Sequence, residues 1–173
     1  QKLSAACEEN GIPCLVIPQL RDQQQVISSS LIRQKIELGH MSSAVHLLGH
    51  PYILTGTVIP GHQLGRTLGI PTANMMLPQE LVVPRFGVYA CKCSVQGKRY
   101  LAVTNVGTRP TVAGIGITVE PWILDYEGDL YGQKITMEFY KFLRPEQRFH
   151  SLEALRQEII RNAQQTRELF REN

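Results

Sequence analysis

The chain has 173 residues, of which 43% are hydrophobic and 19% charged. That length suffices for one sizeable core with a small appendage, and the composition is typical of a globular, turn-rich protein rather than a disordered or fibrous one. A net charge of +3 falls well short of the field that non-specific nucleic-acid binding needs. No apolar run approaches the roughly 20 residues of a membrane span. We therefore expect a cytoplasmic protein that binds neither nucleic acids nor membranes.

The first fifty residues have the pattern of an α/β segment. An acidic helical stretch at residues 5–10 precedes the apolar run 11–18 (GIPCLVIP), which is predicted to be a buried strand. One of the serines at positions 28–30 can cap a helix that ends near Gly39. A second short helix is predicted over residues 43–48.

From residue 51 onward the sequence predicts antiparallel β-structure. Runs rich in β-branched and aromatic residues are predicted strands at 52–59, 87–95, 100–105, 117–126 and 133–142. The turn Gln96-Gly97-Lys98 is a hairpin signal. A final helix follows, with Ser151 as its N-cap and Glu153 in its first turn. Its apolar side, which we expect to lie across the sheet or barrel, consists of Leu152, Leu155, Ile159, Ala163 and Phe170.

Residues 61–74 (GHQLGRTLGIPTAN) form a glycine-rich segment that suits close approach by a phosphate. Neither a P-loop nor a GxGxxG pattern is present, and glycine spacing alone favours a plain mobile loop. Thr72 and Asn74 supply hard oxygen donors of the kind Mg²⁺ accepts, and they face the same way if the segment is extended. The alternative is that Pro-Thr-Ala-Asn is an ordinary turn.

Glu120 is a lone carboxylate in the apolar run 117–124, which lies within the predicted strand 117–126. Apolar surroundings can adapt a carboxylate to general-base work, whereas the alternative is a strand-end glutamate that faces solvent. The adjacent Pro121 argues for an edge strand or a bulge. The four cysteines include no CxxC pair, and Cys91 and Cys93 are expected to be reduced, half-buried residues on one face of a strand.

Several motifs follow one another at compatible spacings: GRTLGIPTAN (65–74), FGVY (86–89), TNVGTRPT (104–111), VE (119–120), DYEGDLYG (125–132) and LRPE (143–146). In this order they resemble the riboflavin kinase family, and the resemblance spans residues 49–170. It implies a mostly β fold, a six-stranded antiparallel Greek-key barrel with a C-terminal helix. It also implies transfer of the γ-phosphoryl group of ATP to the ribityl 5′-hydroxyl of riboflavin, giving FMN and ADP.

The resemblance also implies roles for individual residues. Glu120 would be the catalytic base that accepts the proton of the ribityl hydroxyl. The residues implied for ATP and phosphate binding are Gly61, Gly65, Arg66, Gly69, Thr72 and Asn74, of which Thr72 and Asn74 would also hold Mg²⁺. The residues implied for flavin binding are Asn105, Arg109 and Arg144, around a loop at 104–111.

Three residues near this implied site have an alternative interpretation. In that alternative, Arg144 makes a surface contact with Glu146 or Glu153, and Asn105 forms a turn. Trp122 could flank the flavin, although packing in the core is the safer expectation.

Upstream, residues 26–33 (VISSSLIR) resemble the segment that closes the adenylyltransferase domain of bifunctional riboflavin kinase/FAD synthetases. Residues 1–48 are therefore predicted to be the C-terminal remnant of an FMN adenylyltransferase (nucleotidyltransferase) domain, covalently joined to a kinase domain at 49–173. The His-x-Gly-His signature is absent, so FAD synthesis is not expected from this chain alone, although it could be part of an enzyme that also adenylylates FMN to FAD. Two competing functions are a non-catalytic flavin- or nucleotide-binding barrel and, disfavoured by few aromatic residues, a nucleic-acid-binding barrel.

Overall fold

The structure, a computed structural model, describes residues 2–61, 65, 69–77, 81–111 and 114–171. The helices within these ranges are α1 (Lys2–Glu9), α2 (Ser29–Glu37), α3 (Met41–Leu48) and α4 (Leu152–Leu169). The strands are β1 (Arg21–Asp22), β2 (Gln25–Val26), β3 (Tyr52–Ile59), β4 (Asn74–Met76), β5 (Gly87–Val95), β6 (Lys98–Thr111), β7 (Gly114–Ile123) and β8 (Lys134–Arg144). No helix in the described ranges combines the length and the apolarity that crossing a membrane requires.

Strands β3 to β8 close into an antiparallel barrel in the order β3-β4-β7-β6-β5-β8. Strands β5, β6 and β7 follow one another as neighbours and β8 returns beside β5, which is a Greek key. The β5–β6 hairpin turns at Gln96 and Gly97, whose φ angles of 47° and 79° are the positive values that a two-residue turn needs. The predicted six-stranded barrel with a C-terminal helix is confirmed.

The barrel interior is a solid apolar core. Alternate residues of β5 point inward, and Tyr89 packs edge-on against Phe139 of β8 with ring centroids 5.3 Å apart. Cys91 and Cys93 share this inward face, as predicted, but they are fully buried rather than half-buried because the closed barrel covers them. Burial raises the pKa of the Cys93 thiol to about 12, so it stays neutral. Because side chains fill the barrel, a ligand has to bind outside it.

The predicted loop at residues 104–111 is wrong, because these residues form the second half of β6. Strand β5 accompanies β6 only as far as Val106, which lies opposite Gly87. Beyond that point β6 pairs with β7 alone, with Pro110 opposite Ile115. A proline is tolerated where the hydrogen-bond ladder is one-sided, so the glycine and proline that suggested a loop are compatible with a strand.

The strand predicted at residues 11–18 is also wrong. This segment has no regular structure, and Leu15, Val16 and Ile17 are 88%, 69% and 79% exposed. A buried strand needs neighbouring strands to satisfy its backbone and cover its side chains, and no described residue provides them here.

The two helices after this segment confirm the sequence prediction. The Ser28 hydroxyl accepts a hydrogen bond from the Leu31 N–H at 3.2 Å, which caps α2, and Gly49 ends α3 in the left-handed conformation. Buried residues of both helices, Ile36, Met41 and Ala44, belong to the same hydrophobic cluster as the barrel interior. Residues 29–48 therefore pack directly on the barrel.

Helix α4 lies across the outer wall of the barrel, against β5 and β6, as predicted. The Ser151 hydroxyl accepts from the Ala154 N–H at 3.1 Å and caps its N-terminus. Near its C-terminus, Arg167 donates two hydrogen bonds to the Asp125 carboxylate, at 2.8 and 2.9 Å. The helix is thus capped at its start and tied to Asp125 near its end.

Candidate active site

A cavity of about 810 Å³ lies between the outer wall of the barrel and α4. A volume of this size is typical of small-molecule sites. Part of its lining is apolar, from both the wall and the helix side: Val88, Val103, Trp122, Phe149, Leu155 and Ile159. The remainder includes the polar residues Thr72, Asn74, Asn105, Glu120, Arg144 and Glu146. The cavity can therefore hold a ligand with one large apolar portion and one polar portion.

Glu120 occupies the middle of a row that crosses three neighbouring strands. Its partner on β6 is Asn105, and the pairing of Met75 with Val119 places Asn74 of β4 on its other side. Residues directly opposite one another in a sheet point to the same face, and all three side chains of this row line the cavity. Glu120 is half-buried within β7 and is not a solvent-facing glutamate at a strand end. Asn105 lies within β6 and does not form a turn.

Pro121 does not mark an edge strand or a bulge, so that prediction is wrong. Strand β7 lies between β4 and β6, and its register with β6 is continuous through Pro121. The Ala73 N–H donates to the Pro121 carbonyl at 2.9 Å, and Pro121 has no N–H to return a bond. Strand β4 begins at Asn74, so the hydrogen bond that Pro121 cannot donate to Ala73 would lie just outside the β4–β7 ladder. The Ala73 bond holds the Pro-Thr-Ala-Asn segment beside Glu120.

Two of the predicted phosphate-binding glycines are required by close packing around this segment. A Cβ at Gly61 would lie 2.0 Å from Nδ2 of Asn74, and one at Gly65 would lie 2.2 Å from the Ile70 carbonyl oxygen. Real Cβ atoms do not approach other atoms so closely. Gly65 lines the cavity itself, whereas Gly61 lies behind the Asn74 amide.

Three other predicted residues are not placed in the cavity lining. Gly69 is described, with a φ of 68°, but it does not line the cavity. Arg66 and the side chain of Arg109 lie outside the described part of the structure. Their proposed roles stay predictions.

Arg144 ends β8 and its side chain is only 15% exposed. Its Nε donates to Oδ1 of Asn162 at 3.0 Å and lies 3.4 Å from Oε1 of Glu158. The guanidinium carbon also sits 5.5 Å from the ring centroid of Phe149. Burial lowers the pKa of Arg144, and the nearby Glu158 carboxylate opposes that shift. The alternative of a surface contact with Glu146 or Glu153 is wrong, because the partners come from the middle of α4.

The cavity also contains residues that sequence reasoning did not assign to the site. Nδ2 of Asn105 lies 3.4 Å from Oε1 of Glu146, a second carboxylate in the lining. Trp122 packs against the hydrophobic core cluster under α4 that includes Val103, as the safer expectation had it, and it also lines the cavity. The sequence does contain a signal for Asn162. It follows Ile159 by three residues and therefore lies on the predicted apolar face of the helix, where a polar side chain is unexpected.

The oxygen donors of Thr72 and Asn74 can be tested against a metal ion. The described residues contain no cluster of three or more His, Cys, Asp or Glu side chains that could hold one. Mg²⁺ does not need such a cage when phosphate oxygens and water complete its shell. A hydroxyl and an amide oxygen at one end of the cavity therefore fit Mg²⁺ that arrives with a nucleotide.

The fold and the site define a class of small barrel proteins with a ligand cavity between barrel wall and C-terminal helix. Residues 48–170 match the family Flavokinase, riboflavin kinase. The bifunctional riboflavin kinase/FMN adenylyltransferase of Escherichia coli K12 is 45% identical over 145 residues, 83% of this chain and 46% of that protein. The protein of the same description from Bacillus subtilis is 37% identical over 160 residues, 91% of this chain and 51% of that protein.

Two solved structures are also similar. Riboflavin kinase from Trypanosoma brucei superposes with a TM-score of 0.52 and 26% identity, covering 70% of this chain and 81% of that one. A macrolide-efflux protein from Streptococcus pneumoniae gives a TM-score of 0.86 and 32% identity, covering 94% of this chain and 54% of that one. This chain belongs to the riboflavin kinase family, and it spans about half the length of the curated relatives it matches.

Proposed function

We propose that this chain is a riboflavin kinase, which transfers the γ-phosphoryl group of ATP to the 5′-hydroxyl of riboflavin and releases FMN and ADP. The observation that carries the proposal is the row of Asn74, Glu120 and Asn105 across three strands, open to a cavity that also has a large apolar surface. Membership of the riboflavin kinase family supports the same reaction.

The proposed mechanism assigns the two parts of the cavity to the two parts of the flavin. The isoalloxazine ring lies against the apolar lining, which includes Trp122 and Phe149, and the ribityl chain extends toward Glu120. Arg144 and Asn105 provide donors for the flavin. A rigid strand position for Glu120 favours catalysis, because a general base has to lie within hydrogen-bond reach of the proton it accepts.

In the reaction, the ribityl oxygen forms a bond to the γ-phosphorus while the bond from that phosphorus to the β,γ-bridging oxygen breaks. Glu120 accepts the hydroxyl proton, and ADP leaves with the bridging oxygen. Phosphoryl transfer is catalysed mainly by positioning and by neutralising charge. When bound, Mg²⁺ would supply part of that neutralisation. Thr72 and Asn74 would hold its protein side, and the backbone at Gly65 would approach the phosphates, with Gly61 making room for the Asn74 amide.

The test is product formation from riboflavin, ATP and Mg²⁺, with FMN and ADP separated by chromatography. The proposal expects FMN and ADP in equal amounts, and FMN formation that stops when ATP is left out. Quenching of riboflavin fluorescence without any FMN would contradict it and favour a non-catalytic flavin-binding barrel. The use of ATP is consistent with a cytoplasmic site of action, which stays a prediction.

We also propose that residues 1–48 are the C-terminal part of an FMN adenylyltransferase domain, as the bifunctional relatives suggest. The exposed apolar side chains of Leu15, Val16 and Ile17 support this, because they are suited to a sheet that a larger domain would supply. The packing of α2 and α3 on the barrel supports a further role for part of this segment in stabilising the kinase unit. Incubation of the chain with FMN, ATP and Mg²⁺ should give no FAD, and FAD formation would contradict the assignment.

A further inference from the structure

The guanidinium of Arg144 is held from one side by helix α4. An arginine side chain is long and flexible, and it has five N–H donors that need acceptors when it is buried. Here Nε faces Asn162 and Glu158, and Nη1 donates to the Pro145 carbonyl at 3.1 Å. Within the described part of the chain, Nη2 has no acceptor, and Arg144 lines the cavity. The arrangement uses the Nε donor and one Nη1 donor, and it leaves the two N–H donors of Nη2 available for a ligand.

The residues that hold Arg144 are themselves held. Asn162 is 1% exposed, and its Nδ2 lies 3.4 Å from both Oε1 of Glu158 and Oε1 of Gln165, so its oxygen is turned toward Arg144. The other carboxylate oxygen of Glu158 pairs with Nη1 of Arg161 at 2.9 Å. A buried network with its members satisfied in this way is rigid, and its geometry depends on each partner.

We propose that Glu158 and Asn162 are positioning residues that set the orientation of Arg144 and thereby the affinity of the cavity for the flavin. Asn162 accepts the single Nε hydrogen bond, and the Glu158 carboxylate lies 3.4 Å from the same nitrogen as an ion-pair partner. Together they fix the plane of the guanidinium and aim Nη2 at a carbonyl acceptor such as those of the isoalloxazine ring. Helix α4 is then part of the flavin site and not only its cover. This inference rests on the proposed function, because it assumes that Arg144 contacts the flavin.

The test compares Glu158→Gln and Asn162→Leu with the wild-type chain in the kinase assay. We expect the KM for riboflavin to rise about 3- to 10-fold, the effect of losing the Asn162 hydrogen bond in one variant and the Glu158 ion pair in the other, while kcat and the KM for ATP change by less than about twofold. Glu168→Gln, an exposed glutamate in the last turn of the same helix, is the matched control and should leave all three constants unchanged. Thermal melting of each variant checks that it is folded.

A double-mutant cycle with Arg144→Met separates positioning from a merely structural role. If Glu158 acts through Arg144, Glu158→Gln should raise the KM for riboflavin in the wild-type background and add almost nothing when Arg144→Met is already present. Equal effects of Glu158→Gln in the two backgrounds, or an unchanged KM for riboflavin in both single variants, would overturn the inference. The proposed function would still stand in that case if the wild type forms FMN. If the wild type makes no FMN, that function fails, and riboflavin affinities from fluorescence quenching test the positioning role in the same cycle.

Discussion

Glu120→Gln is the substitution that most directly tests the proposed reaction. Glutamine keeps the size of the side chain and its place in the row between Asn74 and Asn105, but it cannot accept the ribityl proton. General acid–base groups contribute about 10²- to 10⁴-fold to rates, which corresponds to about 3 to 5 kcal/mol of transition-state stabilisation. We therefore expect kcat to fall by that factor, with both KM values within about threefold of wild type, because substrate contacts remain.

The second carboxylate of the cavity provides a matched control. Glu146 lies on the other side of Asn105, on the segment that follows β8, and its oxygen packs where Gly107 has no Cβ. Its position outside the strand row makes it a poorer candidate for the base. Glu146→Gln should lower kcat by less than about fivefold, an effect well below that of a general base.

The assay measures initial rates of FMN formation over both substrate concentrations, together with the melting temperature of each variant. Unchanged melting temperatures would show that any loss of rate is chemical. A Glu120→Gln variant with a kcat within threefold of wild type would refute the assignment of the base. A larger loss for Glu146→Gln than for Glu120→Gln would transfer that role to Glu146.

The remaining predictions concern the metal and the stability of the fold. Thr72→Ala should raise the Mg²⁺ concentration needed for half-maximal activity several-fold, and an unchanged magnesium titration would contradict its role as a ligand. Phe139→Ala should lower the free energy of unfolding by about 3 to 5 kcal/mol in urea, because the ring is fully buried, whereas the partly exposed Phe86→Ala should cost less than about 1 kcal/mol. The Arg167 hydrogen bond lowers the pKa of Asp125 below its ordinary 3.8. The stabilisation of the fold by this pair is therefore fully present above pH 3.8 and is lost as the pH falls through the lowered pKa. Asp125→Asn should therefore destabilise the chain at pH 7 by at most about 1 kcal/mol, since the pair is exposed, and the difference should vanish in acid; a difference independent of pH would contradict this.

Much of the local structure could be read from the sequence because its causes are local. The bounds of β3 and β5 follow from β-branched runs between turn residues, and the caps at Ser28 and Ser151 act within three residues. The errors occurred where a distant partner decided the outcome. The apolar run at 11–18 has the sequence pattern of a strand but does not pair with any described strand. Residues 104–111 have the pattern of a loop but pair with β7.

The site was predicted in part. The resemblance to a family pointed to Thr72, Asn74, Glu120 and Arg144, and the structure brings all four to one cavity. It did not reveal Glu158 as the partner of Arg144, because the two are separated by a loop and by half of α4. Spacing along one element cannot report which residue another element will place against it.

By itself the sequence determined the strand and turn pattern, the helix caps and the kinds of side chain available for chemistry, since these depend on backbone preferences and neighbouring residues. Only the tertiary structure decided where they meet. Closure of the barrel fills its interior with Tyr89, Phe139 and their neighbours, so the polar row at Glu120 has to face outward. Packing of α4 over that outer face then encloses the cavity and supplies the acceptors for Arg144, an outcome that depends on contacts between segments far apart in the chain.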